Sequence, residues 1–353
     1  MGAADTLSRA RERIERLAGA TSDAAQYRSA VLRELSGVLA FDAHVWVLTD
    51  PQTAVGAAPH ARVPAHGELP RLIRYKYLTE LNRWTALADA GIAATSLLRA
   101  SAGEPERSLL WREVLRAYAV LDVASLVLAD SRGCWGFLDL WRSGEAVPFT
   151  PRELAFLASL APGMTRAIRA RQAATFTSIP AAATEPRGPV LLLLDDALVV
   201  QSQTPAAEAW LGALVPSSDG GAVVPASVYN VAAQLLAVEA GVDAHEPLAR
   251  VHLSAGTWLT VRAGRVGEQI AVSLDPSSPA ERLDLFAAAH ALSARERTVL
   301  ELLAAGADTR TIAERMYVSE LTVQDHCTAI FAKASVHNRR SLLARILGTR
   351  ELS

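Results

Sequence analysis

The stretch "YVSELTVQDHCTAIFAKASVHNRRS", residues 317–341, begins near a small polar residue, continues with the pattern of an amphipathic helix and ends among basic residues. Ser319 is placed to cap that helix, and Val323 and Ile330 recur at the spacing of one buried helix face. Upstream, "LSARERTVLELLAAGADTRTIAERM" at residues 292–316 predicts two shorter helices. Helices in this order predict an all-α domain in which the third helix is held rigidly by the first two.

The ends of the two upstream helices are marked by local signals. Ser293 and Glu296 have the spacing of a capping box, so the first helix is expected to begin there. Gly306 is placed to end that helix in the left-handed conformation, and Asp308 is placed to cap the second helix. The side chains expected to face inward are Val299, Leu302, Leu303, Ile312, Ala313 and Met316.

These residues resemble the LuxR-type helix-turn-helix. The family pattern is represented here by Leu292-Ser293-Ala294-Arg295-Glu296, Ile312-Ala313, Ser319 to His326, Ile330-Phe331-Ala332-Lys333 and Arg339-Arg340. The resemblance implies a bacterial cytoplasmic regulator, associated with the nucleoid when bound, whose partner is double-stranded DNA and whose third helix reads the major groove. It also implies a homodimer, because the fourth helix, "RRSLLARIL" at residues 339–347, resembles the family's dimerisation helix.

Polar and basic residues of the third and fourth helices are the candidate DNA contacts. They are Thr322, Gln324, Asp325, Thr328, Lys333, Arg339 and Arg340. Gln324 can pair with adenine and Asp325 can accept from cytosine, although either side chain can instead contact a partner or water. Many family members carry a basic residue where Gln324 stands, so direct base reading is expected to weigh more here. The three basic residues are candidates for phosphate contacts, with a solvated charged face as the alternative.

Residues 1–176 predict an antiparallel sheet flanked by helices, one of them over "LPRLIRYKYLTELNRW" at residues 69–84. "DVASLVLADSRGCWGFLDLWR" at residues 122–142 is a strand, a short turn and a strand, with Gly133 able to take positive φ in the turn. A long helix is expected to follow, with Thr150 as N-cap and Glu153 completing a capping box. This order resembles a GAF domain, a sensory fold, which implies a small-molecule effector whose identity the residues do not select.

Residues 187–275 begin with a buried strand that ends in Asp195 and Asp196. One reading is the magnesium-binding start of a receiver domain, but this block contains no Lys. The better match is a small PAS-like domain, in which the two Asp residues form a hairpin turn and Thr204 caps the next helix. Later strands are expected at "LARVHLS", "TWLTVRAG" and "QIAVSLD".

Composition and motifs exclude several other classes of protein. A net charge of -2 argues against a protein that coats nucleic acid indiscriminately, because such binding rests on many phosphate contacts. The apolar run at 220–238 is interrupted by Gly and Pro and is expected to be a turn and a half-buried helix, so no membrane association is expected. His60 and His66 lie in a predicted loop without a carboxylate cluster, and no catalytic motif is present. We therefore expect no enzyme, no catalytic residue, no metal site and no cofactor.

The sequence thus predicts an α+β protein with antiparallel-sheet sensory domains at 1–176 and 187–275, followed by an all-α helix-turn-helix domain at 280–353. Pro-rich and small-residue segments at 175–189 and 275–280 mark the expected joints. The leading hypothesis is a sequence-specific transcription regulator whose sensory domains modulate DNA binding. The alternative is a protein-interaction scaffold or co-regulator in which DNA contact is secondary.

Overall fold

Two five-stranded antiparallel sheets and a C-terminal group of helices form the computed structural model, which describes residues 3–20, 23–64, 66–177, 188–214, 224–253 and 258–348. The strands are β1 (Ala43–Thr49), β2 (Gly56–Arg62), β3 (Ala94–Ser96), β4 (Val120–Asp130), β5 (Gly133–Ser143), β6 (Leu191–Leu194), β7 (Val200–Gln203), β8 (Leu248–His252), β9 (Trp258–Val266) and β10 (Gln269–Pro276). The helices are α1 (Ala3–Ala20), α2 (Ala24–Ser36), α3 (Leu69–Leu78), α4 (Trp84–Asp89), α5 (Leu97–Ala100), α6 (Leu109–Glu113), α7 (Pro151–Ala174), α8 (Pro205–Leu214), α9 (Ala226–Glu239), α10 (Pro279–Ala289), α11 (Ala294–Ala304), α12 (Thr309–Met316), α13 (Glu320–Ala334) and α14 (Arg339–Leu347). The predicted α+β class is confirmed.

The chain divides into two compact units, which we name the sheet unit and the C-terminal unit. The sheet unit consists of Met1–Ile168, Glu185–Val251 and Leu259–Asp275. The C-terminal unit consists of Arg169–Thr184, His252–Trp258 and Pro276–Ser353. Of the joint expected at 175–189, residues 178–187 lie outside the described part of the chain.

The first sheet has the strand order β2-β1-β5-β4-β3, with the predicted β4–β5 hairpin at its centre. Trp135, Phe137 and Leu138 of β5 are all buried, because both faces of this central strand are covered. Gly133 in the turn has φ +139°, and a Cβ there would lie 2.2 Å from the carbonyl oxygen of Pro51. Close approach of the backbone, as well as the turn itself, therefore requires glycine at this position.

Two predictions for the first sheet were wrong. The segment around His60, expected to be a loop, is the edge strand β2, whose His60 pairs with Trp46 of β1. Proline weakened the strand signal, but an edge strand tolerates it because one side of its backbone needs no partner. The single helix expected over 69–84 is broken into α3 and α4, and Asn82 between them has φ +55° and donates to the Ser125 hydroxyl at 3.0 Å.

The signals that mark the start of α7 are confirmed. The Glu153 amide donates to the Thr150 hydroxyl at 3.2 Å, and a Glu153 carboxylate oxygen accepts from the Thr150 amide at 2.8 Å. These two hydrogen bonds are the reciprocal pair of a capping box. None of the described helices, α7 included, is long and apolar enough to cross a membrane.

The second sheet repeats the connectivity of the first, in the order β7-β6-β10-β9-β8. Asp195 is a turn residue as predicted, since its carboxylate accepts from the amides of Ala197 and Val199, both at 2.9 Å. Antiparallel pairing is incompatible with the parallel sheet of a receiver domain. Thr204 does not cap α8 with its side chain: its hydroxyl instead accepts from the Leu191 amide at 3.1 Å, which ties the start of α8 to β6.

Helix α9 and a buried ion pair join the two sheets within the sheet unit. α9 packs against β2 and α3, and it is more deeply buried than the half-buried helix that the sequence predicted. Asp50, at the end of β1, accepts hydrogen bonds from Nε and Nη2 of Arg250 on β8 at 2.6 and 2.7 Å. The two side chains are 0% and 2% exposed. Arg83 and Asp243 form a second ion pair across the same boundary.

Candidate nucleic-acid interface

In the C-terminal unit, α11 and α12 hold α13 in place, and each of these three helices begins with a side-chain cap. Ser293 accepts from the Glu296 amide at 3.2 Å, Asp308 accepts from the Thr311 amide at 2.7 Å, and Ser319 accepts from the Thr322 amide at 3.1 Å. Each cap satisfies an amide that has no partner inside its helix. The three helix starts predicted from the sequence are therefore confirmed, and they fix where α11, α12 and α13 begin.

An apolar core holds these helices together. Val299 of α11, Ile312 of α12 and Val323 and Ile330 of α13 are each fully buried. Leu300 is also fully buried, whereas Leu302, which the sequence predicted to face inward, is only half-buried. Because residues on one side of α13 are fixed in this core, the opposite side is presented to solvent in a defined orientation.

One face of α13 is polar and exposed. Gln324, Asp325 and Thr328 are exposed and Thr322 is half-buried, so all four predicted residues lie on or beside this face. The structure gives the Gln324 and Asp325 side chains no hydrogen-bond partner within the described residues. Their donors and acceptors are therefore available to an external ligand.

Two further exposed side chains extend this face, and the sequence analysis did not single them out. Leu321 is 68% exposed and stands three, four and seven positions before Gln324, Asp325 and Thr328, so the four residues form one stripe. Tyr317 is 95% exposed and occupies the left-handed position with φ +56° that ends α12. The i, i+3, i+4, i+7 spacing was visible in the sequence, but spacing alone does not show that an apolar side chain such as Leu321 is exposed.

Lys333 has an internal partner. Its ammonium lies 2.6 and 2.8 Å from the two carboxylate oxygens of Glu296, which also accepts from the Ser293 amide at 2.6 Å. Burial opposes ionisation of Glu296, but the hydrogen bonds from Lys333 and Ser293 outweigh it and lower the pKa of this carboxyl. Glu296 thus connects the cap of α11 to the last turn of α13.

The two arginines at the start of α14 differ. Arg339 donates from Nη1 to the Ala307 carbonyl and from Nη2 to the Leu303 carbonyl, both at 2.9 Å. It therefore satisfies carbonyls at the end of α11. Arg340 is exposed and has no ionic partner among the residues that the structure describes.

The apolar face of α14 is buried inside the C-terminal unit. Leu342 and Ile346 are fully buried, and Arg282 of α10 donates from Nε to the Ile346 carbonyl at 2.6 Å. Leu343 is half-buried and Leu347 is 42% exposed. Part of the helix that resembles a dimerisation helix thus remains accessible.

Within the described ranges, no group of three or more His, Cys, Asp or Glu side chains is arranged to hold a metal ion.

The C-terminal helices match a known family. Residues 290–345 match the model of the bacterial regulatory proteins of the luxR family. The chain is also similar to the transcriptional regulatory protein DesR of Bacillus subtilis (strain 168), with 37% identity over 62 residues. That alignment covers 18% of this chain and 31% of DesR, so the similarity spans about a third of the relative's length. This region of the chain is thus a luxR-family helix-turn-helix domain.

Proposed function

We propose that this protein is a bacterial transcription regulator that binds double-stranded DNA as a homodimer, with α13 in the major groove. The exposed stripe on α13 carries the proposal, because Gln324 and Asp325, on a rigidly held helix, present side-chain groups that have no hydrogen-bond partner among the described residues. The luxR-family match at residues 290–345 supports it. No enzymatic activity is part of this proposal.

The α13 side chains divide into base-reading and positioning roles. In the proposal Gln324 pairs with adenine, Asp325 accepts from cytosine N4, and exposed Leu321 contacts a thymine methyl group. Thr322 and Thr328 flank them and contact bases or phosphates. Sequence preference would then come from a few side chains on one face of α13.

Lys333, Arg339 and Arg340 are proposed to face the phosphate backbone, with unequal contributions. Arg340 is exposed and has no internal ionic partner among the described residues, so it is the strongest candidate. The charge of Lys333 is opposed by Glu296, and Arg339 already donates to two carbonyls. Of these three residues, Arg340 is therefore expected to contribute most to the salt dependence of DNA binding.

The regions before the helix-turn-helix are proposed to be sensory. The domains would be a GAF-like domain at 1–176, a PAS-like domain at 187–275 and the DNA-binding domain at 280–353, acting in the bacterial cytoplasm and at the nucleoid. The shared strand order of the two sheets supports a pair of related sensory folds. A small-molecule effector would change the presentation of α13 or the pairing of two chains through α14.

Mapping DNA occupancy of the full chain across the genome, followed by affinity measurements on the sites found, tests the proposal. Gln324→Ala and Asp325→Ala should each relax preference at one base position, by about 1–3 kcal/mol. Glu301→Gln, on the exposed side of α11, is the matched control and should leave preference unchanged. Uniform weakening in the two α13 variants, with preference unaltered, would contradict base reading.

Absence of discrete genomic sites for the full chain would favour the scaffold alternative.

Neutralising Arg340 alone should remove about one phosphate contact from the salt dependence of binding. Neutralising Lys333 and Arg339 in addition should reduce that slope by less than about one further contact in total, because both groups are already engaged.

A further inference from the structure

Helix α4 is fixed on the first sheet by its first residue. The ring of Trp84 stacks on Phe137 of β5 with the ring centroids 5.3 Å apart, and Trp84 Nε1 donates to Asp139 Oδ1 at 2.9 Å. The loop at residues 240–247, which connects α9 to β8 of the second sheet, reaches both ends of this helix. Contacts between this loop and α4 therefore join the two sheets of the sheet unit.

Asp243 of this loop holds the start of α4. Its Oδ2 accepts from the Thr85 hydroxyl at 2.5 Å and forms an ion pair with Arg83, the N-cap residue of α4. Asp243 is 2% exposed. Burial opposes its ionisation, but hydrogen bonds from His245 and Thr85 outweigh burial and hold the pKa of this carboxyl well below its ordinary value. Asp243 is therefore charged throughout the neutral pH range.

His245 lies between this carboxylate and the end of α4. Its Nδ1 is 2.7 Å from Asp243 Oδ1, and its Nε2 is 3.4 Å from a carboxylate oxygen of Asp89, the last residue of α4. The backbone of His245 is fixed as well, because the buried Gln234 of α9 donates from Nε2 to the His245 carbonyl at 2.8 Å. The imidazole is 23% exposed, so protons reach it from solvent without unfolding of the loop.

The contact with Asp89 depends on the charge of the imidazole. A neutral imidazole carries one proton, and the hydrogen bond to Asp243 keeps that proton on Nδ1. Nε2 then presents a lone pair to the Asp89 carboxylate, which is repulsive. Protonation places an N–H on Nε2 and turns this repulsion into an attraction. The four side chains then alternate in charge, in the order Arg83, Asp243, His245 and Asp89.

We propose that His245 is a proton-sensitive latch, whose imidazolium fastens the 240–247 loop to the end of α4 as the pH falls through neutrality. The charged groups of the described residues that act on His245 are Asp243 in its own loop and Asp89 and Arg83 at the two ends of α4. The hydrogen bond to Asp243 and the charges of both carboxylates raise the pKa of His245, whereas burial and Arg83 oppose them. The folded chain therefore holds this proton more tightly than the unfolded chain. The latch is closed below 6.5, the ordinary pKa of histidine, and opens as the pH rises through the raised pKa.

Histidine NMR titration of the full chain tests the protonation. The signal that disappears in His245→Gln belongs to His245, and it should titrate above 6.5. Asp89→Asn should lower the titration midpoint, because one of the two carboxylates that favour the imidazolium is removed. Glu80→Gln is the matched control, since Glu80 is exposed, lies between α3 and α4 and does not act on His245. A midpoint at or below 6.5, or equal midpoints in Asp89→Asn and Glu80→Gln, would overturn the proposal.

Amide hydrogen exchange measures the fastening of α4. The amides of Ala90 and Ile92 donate to carbonyls of α4 at 3.1 and 2.9 Å, so they report opening at the end of this helix. Between about pH 6 and pH 8 their protection factors, which correct for the chemical effect of pH on exchange, should fall by up to about fivefold in the wild-type chain, as one partly exposed ion pair allows. They should stay constant in His245→Gln and in Asp89→Asn. Constant protection in the wild-type chain, or an equal fall in both variants, would show that His245 does not fasten α4.

Neither measurement involves DNA, so the latch and the proposed function are tested separately. A chain that occupies discrete DNA sites but has no titration of His245 above 6.5 would refute the latch alone. A working latch in a chain without discrete DNA sites would support the latch and count against the regulator.

Discussion

Replacing Arg250 with methionine should strongly destabilise the sheet unit. The substitution keeps most of the side-chain length and removes the guanidinium that donates to both carboxylate oxygens of Asp50, at 2.6 and 2.7 Å. After the change, Asp50 would keep the amides of Gln52 and Arg250 at 2.9 and 3.0 Å. Its charge would have no opposite charge to offset the loss of water around it.

The expected magnitude follows from burial. The side chains of Asp50 and Arg250 are 0% and 2% exposed, so solvent cannot screen the charge that remains. Removing one partner of a buried ion pair typically costs about 3–5 kcal/mol. Arg265→Met is the matched control, because Arg265 pairs with Glu239 and Asp196 at the surface, where such pairs contribute up to about 1 kcal/mol.

Urea unfolding followed by tryptophan fluorescence measures both variants. Arg250→Met should lower the unfolding free energy by at least 2 kcal/mol more than Arg265→Met, on the order of the difference between buried and surface pairs. Asp50→Asn combined with Arg250→Met should recover part of the loss, since neither charge then remains buried. An equal loss for Arg250→Met and Arg265→Met would refute the reasoning.

Two further predictions concern a buried histidine and a close backbone approach. Burial lowers the pKa of His290 to about 4 from its ordinary 6.5, so the unfolded chain binds a proton first as pH falls. His290 should thus contribute a loss of about 2 kcal/mol of stability between pH 7 and pH 5, and urea titrations should find this part of the pH dependence missing in His290→Leu. Gly133→Ala should cost more than about 2 kcal/mol in urea unfolding, because its new Cβ meets backbone. Gly144→Ala, with positive φ but open space around it, should cost less, and the reverse order would contradict the contact.

The C-terminal helices were predictable because their signals are local. Ser293, Asp308 and Ser319 each lie within a few residues of the amide that they cap, so sequence spacing alone located the helix starts. The internal partners of Lys333 and Arg339 were not predictable. Each spans more than thirty residues, and a basic side chain on a helix gives no local sign that it will turn toward its own domain.

In the sheet unit, contacts between residues distant in sequence limit prediction even more strongly. The hairpin at Gly133 follows from a short turn, whereas β2 was missed because an edge strand with proline looks like a loop. The packing of α9 against β2 and α3 was also invisible in the sequence, because it joins segments that lie far apart in the chain. Such segments carry no shared motif, and only the tertiary contacts bring them together.

The Asp50–Arg250 pair has a consequence for how the chain folds while it is being synthesised. The two residues are 200 positions apart, so β1 leaves the ribosome with its carboxylate long before the cation that neutralises it has been translated. A nascent chain in which only the first sheet has been translated cannot bury Asp50 favourably. Chaperones would therefore encounter this sheet while it is incompletely folded. The helix-turn-helix at 290–345 is synthesised later still. A ribosome that has released α13 has therefore already supplied every residue the sheet unit needs to close.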